Sequence, residues 1–127
     1  MKIIDIHAHT GVFNKSRTDI YDYLGGTMSE FNKVLDSDNV SACFITSVDA
    51  LIGDTNKGNN ITYKDSLTDL RLFFCLYYNP LFILKSLDDI ENYFQSPKFI
   101  GFKVRPIYHY KLFSDSSYEP LIDIATS

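Results

Sequence analysis

Hydrophobic and polar positions alternate with period two over the first ten residues. In Lys-Ile-Ile-Asp-Ile-His-Ala-His-Thr-Gly, residues 2–11, the side chains of Asp5, His7 and His9 fall on one side and Ile4, Ile6 and Ala8 on the other, the pattern of a β-strand. Thr27-Met28-Ser29-Glu30 then has the capping-box pattern, and Met28, Phe31 and Leu35 follow at helical spacing, which predicts a helix over 27–35. Residues 40–48 are nearly continuously apolar, as in a strand covered on both faces, and end in Ser47-Val48-Asp49. Residues 56–60 read as a turn-rich loop and 61–70 as a helix of weak periodicity. A third buried strand over 71–78 stops at Asn79-Pro80. Ile83, Leu87, Ile90 and Phe94 recur at i, i+4, i+7 and i+11 as the core stripe of a helix. Ser96-Pro97 breaks it, and 99–104 forms a fourth strand, with Gly101, Lys103 and Arg105 on one face. Ser116 to Glu119 offers a second capping box ahead of a helix begun by Leu121, Ile122 and Ala125.

This β, α, β, α, β, α, β, α order argues an α/β fold with a parallel sheet and helices packed outside it. Four such units are half of a (β/α)8 TIM barrel, so the expectation is a parallel (β/α)4 half barrel; a small open, doubly wound sheet is the alternative. Either places His7, His9, Asp49, Asn79, Lys103 and Arg105 along one rim at the C-terminal ends of the strands. Same-face neighbours on a strand lie about 6.6 Å apart at a rise of about 3.3 Å per residue, so two imidazoles can lean onto one ion. The polar loop over 12–26 is long for a βα connection, and Asp19, Tyr21, Asp22 and Tyr23 there are candidate ligand contacts, though solvated loop residues are the commoner case.

Composition narrows the class. The 127 residues suit one domain, and 45% hydrophobic with 22% charged residues is a globular composition with a core to bury. A net charge of −4 leaves no basic footprint for a nucleic-acid backbone. Nine Tyr and ten Phe without Trp make an aromatic core. Cys43 and Cys75, each inside an apolar run, read as buried thiols of a reduced protein. The sequence shows neither a leader-like apolar segment nor a stretch near the ~20 residues of a membrane span, so a cytoplasmic location is expected.

Ile-Ile-Asp-Ile-His-Ala-His-Thr-Gly, with Ile-Gly-Phe-Lys-Val-Arg-Pro at 100–106 and Tyr-Glu-Pro-Leu at 118–121, resembles the amidohydrolase-related family, metal-dependent TIM-barrel hydrolases and decarboxylases whose first strand carries Asp-x-His-x-His. The likeness runs strongly at both ends of the chain and loosely between. It implies that His7 and His9 bind a divalent ion, with zinc the best fit, that activates a water against a small-molecule substrate. It also implies that the further ligands lie after strands five, six and eight, so that residues 1–127 form a single partial domain with little activity of its own. Asp5 is expected behind the ligands or in the barrel interior, Lys103 in a structural or substrate-anion role rather than carbamylated, and Arg105 against a substrate carboxylate. His109 is balanced between a loop residue and a site contact.

Two other families open similarly. The polymerase and histidinol phosphatase family begins Asp-x-His-x-His-Thr, but its later Ser-Asp-Gly and Thr-Asp-His are replaced here by Val12-Phe13-Asn14 and Ser47-Val48-Asp49. The TatD-like deoxyribonucleases share Asp-x-His-x-His but match the acidic balance and the Lys-Val-Arg-Pro segment less well. A non-catalytic alternative is a truncated chain, or a half barrel whose open strand edges drive it to a homodimer.

Overall fold

The apolar runs form the strands, and the residues between them form the helices that cover one side. The structure is a computed structural model describing residues 2–12, 25–82 and 90–126. Strand β1 (Ile3–Val12) is followed by the two-residue strand β2 (Gly25–Gly26), helix α1 (Met28–Ser37), strand β3 (Val40–Ser47), the short helix α2 (Val48–Ile52) and helix α3 (Thr55–Ser66). Strand β4 (Leu72–Tyr77), helix α4 (Ile90–Phe94), strand β5 (Phe99–Lys103) and helix α5 (Glu119–Thr126) complete the order. Ile83 and Leu87 of the expected stripe, and the loop candidates Asp19, Tyr21, Asp22 and Tyr23, lie outside the described residues.

The expected α/β architecture is present. β1, β3, β4 and β5 form a parallel sheet in that order, and β2 pairs antiparallel with the end of β1. The parallel strands follow chain order without reversal, whereas a doubly wound sheet needs a reversal. Leu35 of α1, Tyr63 of α3 and Ile90 and Tyr93 of α4 all pack on one cluster with Cys43, Ile45, Leu72, Phe74 and Leu76, so these helices share one face of the sheet. Burial alternates accordingly. Leu72, Phe74 and Leu76 are sealed beneath the helices, while Phe73 and Cys75 on the opposite face are half-buried. A second cluster of Tyr78, Tyr118 and Leu121, with Phe102 and Val104, anchors α5.

Local signals account for most boundaries. Thr27 caps α1 as its pattern predicts: its hydroxyl accepts from Glu30 N–H and the Glu30 carboxylate accepts from Thr27 N–H. At the other end of the sheet Lys98 Nζ donates to the carbonyls of Ser66, Asp69 and Leu72 at 2.6–2.9 Å, which closes the end of α3. Two expectations need correction. Residues 56–60 are helical, because Asp54 caps α3 through Lys57 N–H and because the helix closes onto α2. The helix at the end of the sequence is entered through a 3-10 turn, Ser116–Tyr118, capped by Asp115 rather than by Ser116. Among the described residues no helix is long and apolar enough to cross a membrane.

The α2–α3 corner depends on Gly58. A Cβ there would lie 2.0 Å from Ala50 N and 2.2 Å from Ala50 Cα, so only a residue without one allows the approach. The corner also holds the end of β3, since Ser47 N–H donates to Thr62 Oγ1 and that hydroxyl donates to Gly58 O. Helix propensity alone would have Gly58→Ala stabilise the protein by about 0.5–1 kcal/mol. The backbone collision reverses the sign, and we expect a loss of about 2–3 kcal/mol in urea unfolding, near the top of the usual overpacking range.

Candidate functional site

Strict alternation along β1 would put Asp5, His7 and His9 together, but the strand does not alternate strictly. Asp5 is level with Cys43 and Ala8 with Ile45, three steps on β1 against two on β3, so β1 holds one extra residue between them. Cys43 and Ile45 face the helices, and the pleat of Asp5 and Ala8 faces the same way. His9 is level with Thr46 on the opposite face. The Asp5 carboxylate turns back and accepts from His7 N–H at 2.9 Å, pinning the irregularity. The expectation that Asp5 shares a face with both imidazoles is corrected by this bulge.

The imidazoles themselves converge. His7 Nε2 and His9 Nε2 are 3.3 Å apart, with the ring planes nearly perpendicular. His9 Nδ1 lies 3.1 Å from Thr46 O, a carbonyl that can only accept, so Nδ1 carries the proton and the Nε2 lone pair is left for the site. Lys103 Nζ stands 3.5 Å from the same Nε2. Burial first, and then the Lys103 charge, lower the His9 pKa and favour the neutral ring. Lys103 is itself lowered, chiefly by burial and further by Arg105. Cys75 on the same face is raised by burial, against the pull of Lys103.

The other rim candidates spread out. Arg105 lays its guanidinium carbon 4.0 Å from the centre of the Tyr108 ring, and its charge reaches His9 and Lys103. Asp49 belongs to the first turn of α2, where its N–H donates to Ser47 Oγ. Asn79 caps the turn at Pro80–Phe82, accepting from Leu81 N–H. Among the described residues no third His, Cys, Asp or Glu joins His7 and His9 as a metal-holding group.

His109 resolves into the interior. It is 7% exposed and sits between two tyrosines, with Nε2 3.0 Å from Tyr77 Oη and Nδ1 3.1 Å from Tyr118 Oη. Burial lowers the His109 pKa and pushes the Tyr77 phenol up to about 12. Sequence reasoning missed these tyrosines, and also Asn59, whose buried amide clamps Tyr77 through both its N–H and its carbonyl. Single residues 9 to 32 positions apart leave no periodic signal. Thr46 was missed for a different reason: it contributes a backbone carbonyl, which every residue has.

Both His9 and His109 have folded-state pKa values below the unfolded value of about 6.5. The unfolded chain therefore binds more protons in that window, so stability is full above about pH 6.5 and falls as pH drops below it. Urea unfolding between pH 7.5 and 5 checks this; His109→Gln is expected to flatten the dependence and leave the part due to His9. His109→Phe strands two buried hydroxyls and is expected to cost about 1–3 kcal/mol at pH 7.5.

Comparison of the chain with protein-family models, with curated proteins and with solved structures finds no match, so the site is read from its own geometry.

Proposed function

We propose that His7 and His9 are two ligands of a divalent metal ion, zinc by ligand type, in a metal-dependent hydrolase resembling the amidohydrolase-related enzymes. One observation carries the reading, the 3.3 Å separation of the two Nε2 atoms on β1. Two nitrogens each about 2.0–2.1 Å from a tetrahedral zinc stand about 3.3–3.4 Å apart, so the rings need little movement to accept the ion. The His9 tautomer supports the same reading, since a ligating imidazole commonly donates its other N–H to a carbonyl. A catalytic zinc takes about three protein ligands, so the pair fits as part of a set that the remainder of a (β/α)8 barrel would complete.

The ion would supply a polarised substrate oxygen or an activated water, for hydrolysis of a C–N or C–O bond or for decarboxylation of a small carboxylated molecule. The chain's own contribution is to hold two imidazole nitrogens together at a rim that also carries Lys103 and Arg105. A second reading has one supporting observation. Ile4 and Ile6 of β1 are 62% and 72% exposed, apolar surface that a second copy of the chain would cover in a non-catalytic dimer.

Zinc titration of the purified chain tests the first reading. One saturable site is expected, weakened about tenfold or more in both His7→Ala and His9→Ala. Equal zinc binding in wild type and variants would overturn it and leave the 3.3 Å contact as a hydrogen bond between imidazoles. Sedimentation of the metal-free chain tests the second, with dimers expected to dissociate on Ile6→Lys.

A further inference from the structure

Four basic side chains are partly buried among the described residues, and three of them have oxygen acceptors. Arg71 pairs with Asp36 and Asp69, Lys111 pairs with Asp115, and Lys98 is surrounded by three carbonyls. Lys103 is the fourth. Its contact is a nitrogen, the His9 Nε2 at 3.5 Å, and among the described residues no carboxylate or carbonyl accepts from it. Arg105, two residues on and close enough to act on the Lys103 charge, likewise has no acidic partner there. Its guanidinium carbon lies 4.0 Å from the centre of the Tyr108 ring, and among the described residues no carboxylate or carbonyl accepts from its N–H groups. A protein of net charge −4 thus gathers two cations that have no anionic partner among the described residues, beside the imidazole pair.

We propose that Lys103 and Arg105 form a binding site for a small organic carboxylate, the anionic end of the molecule on which the histidine site acts. The assignment to substrate rests on the metal-site reading; the anion site itself does not. A guanidinium edge matches a planar carboxylate with two parallel N–H···O bonds, and a lysine ammonium beside it adds a third donor. The half-buried setting of Lys103 strengthens the attraction over that of a surface ion pair. The Tyr108 face orients the fork before any ligand arrives, which reduces the ordering cost of binding.

Calorimetric titration of the intact, metal-stripped chain with malonate, at fixed ionic strength, tests the site. Saturable one-to-one binding is expected, weakened about tenfold or more in Arg105→Gln and in Lys103→Met, with Arg105→Lys intermediate because it keeps the charge and loses the fork. Arg105 is exposed, so the near-UV circular dichroism of Arg105→Gln should match wild type. Arg105→Gln should still bind zinc at one saturable site, which separates failure of the anion site from failure of the metal site. Malonate binding that is absent, or that survives Arg105→Gln unaltered, overturns the proposal. Inorganic phosphate binding more tightly than malonate overturns the carboxylate assignment.

Discussion

One extra residue in β1 decides what the first strand presents. Asp5 belongs to the pleat of Cys43 and Ile45, which faces the helices, and unbroken alternation from there would carry His7 and His9 into the sealed core. The bulge between Asp5 and Ala8 moves Ala8 into that core and turns His9 to the open face. Asp5 holds the irregularity by accepting from His7 N–H. A carboxylate that the motif suggests as a neighbour of the metal thus does its visible work on the backbone. The convergence of the two imidazoles, the approach of His9 to Lys103 and the neutral His9 ring all follow from this change of side.

The two faces of the sheet divide the labour. On one, α1, α3 and α4 seal Leu72, Phe74 and Leu76, and interlocking aromatic rings such as Tyr63, Phe74, Tyr93 and Phe99 give that side its rigidity. On the other, Thr46, Cys75 and Lys103 remain beside the histidines. A parallel sheet wound in one direction leaves its second face to be covered by something other than its own crossover helices. Polar and titratable groups can stand there without facing an apolar helix, which would penalise every one of them.

Several buried polar groups elsewhere are satisfied by partners that leave them no chemical freedom. Asn59 spends both ends of its amide on Tyr77, Lys98 directs three donors at three carbonyls, and His109 has a tyrosine hydroxyl on each nitrogen. These groups fix the geometry of β4, α3 and the segment leading to α5. Lys103 and Arg105 are the exception, cations on a rim with no fixed anion among the described residues. Placed beside the imidazole pair, they give the rim a positive field inside an acidic protein.

Much of the architecture was legible from the chain alone. Period-two and continuous apolar runs locate the four parallel strands to within one or two residues, and the Thr27 capping box marks the start of α1, because these signals are local and each repeats over several residues. The His7–His9 pair was visible for the same reason, two residues of one kind at strand spacing. What the sequence could not show is the register. A bulge is set by pairing with β3, so the assumption of unbroken alternation put Asp5 on the wrong face. The helical state of 56–60 was hidden because it depends on Gly58 meeting Ala50, and the fate of His109 because Tyr77 reaches it from 32 residues away and Tyr118 across a turn with no periodic pattern. Local hydrophobic order determined which segments are strands and helices; only tertiary contact decided which side each polar group faces, because register and long-range partners are properties of the assembled sheet.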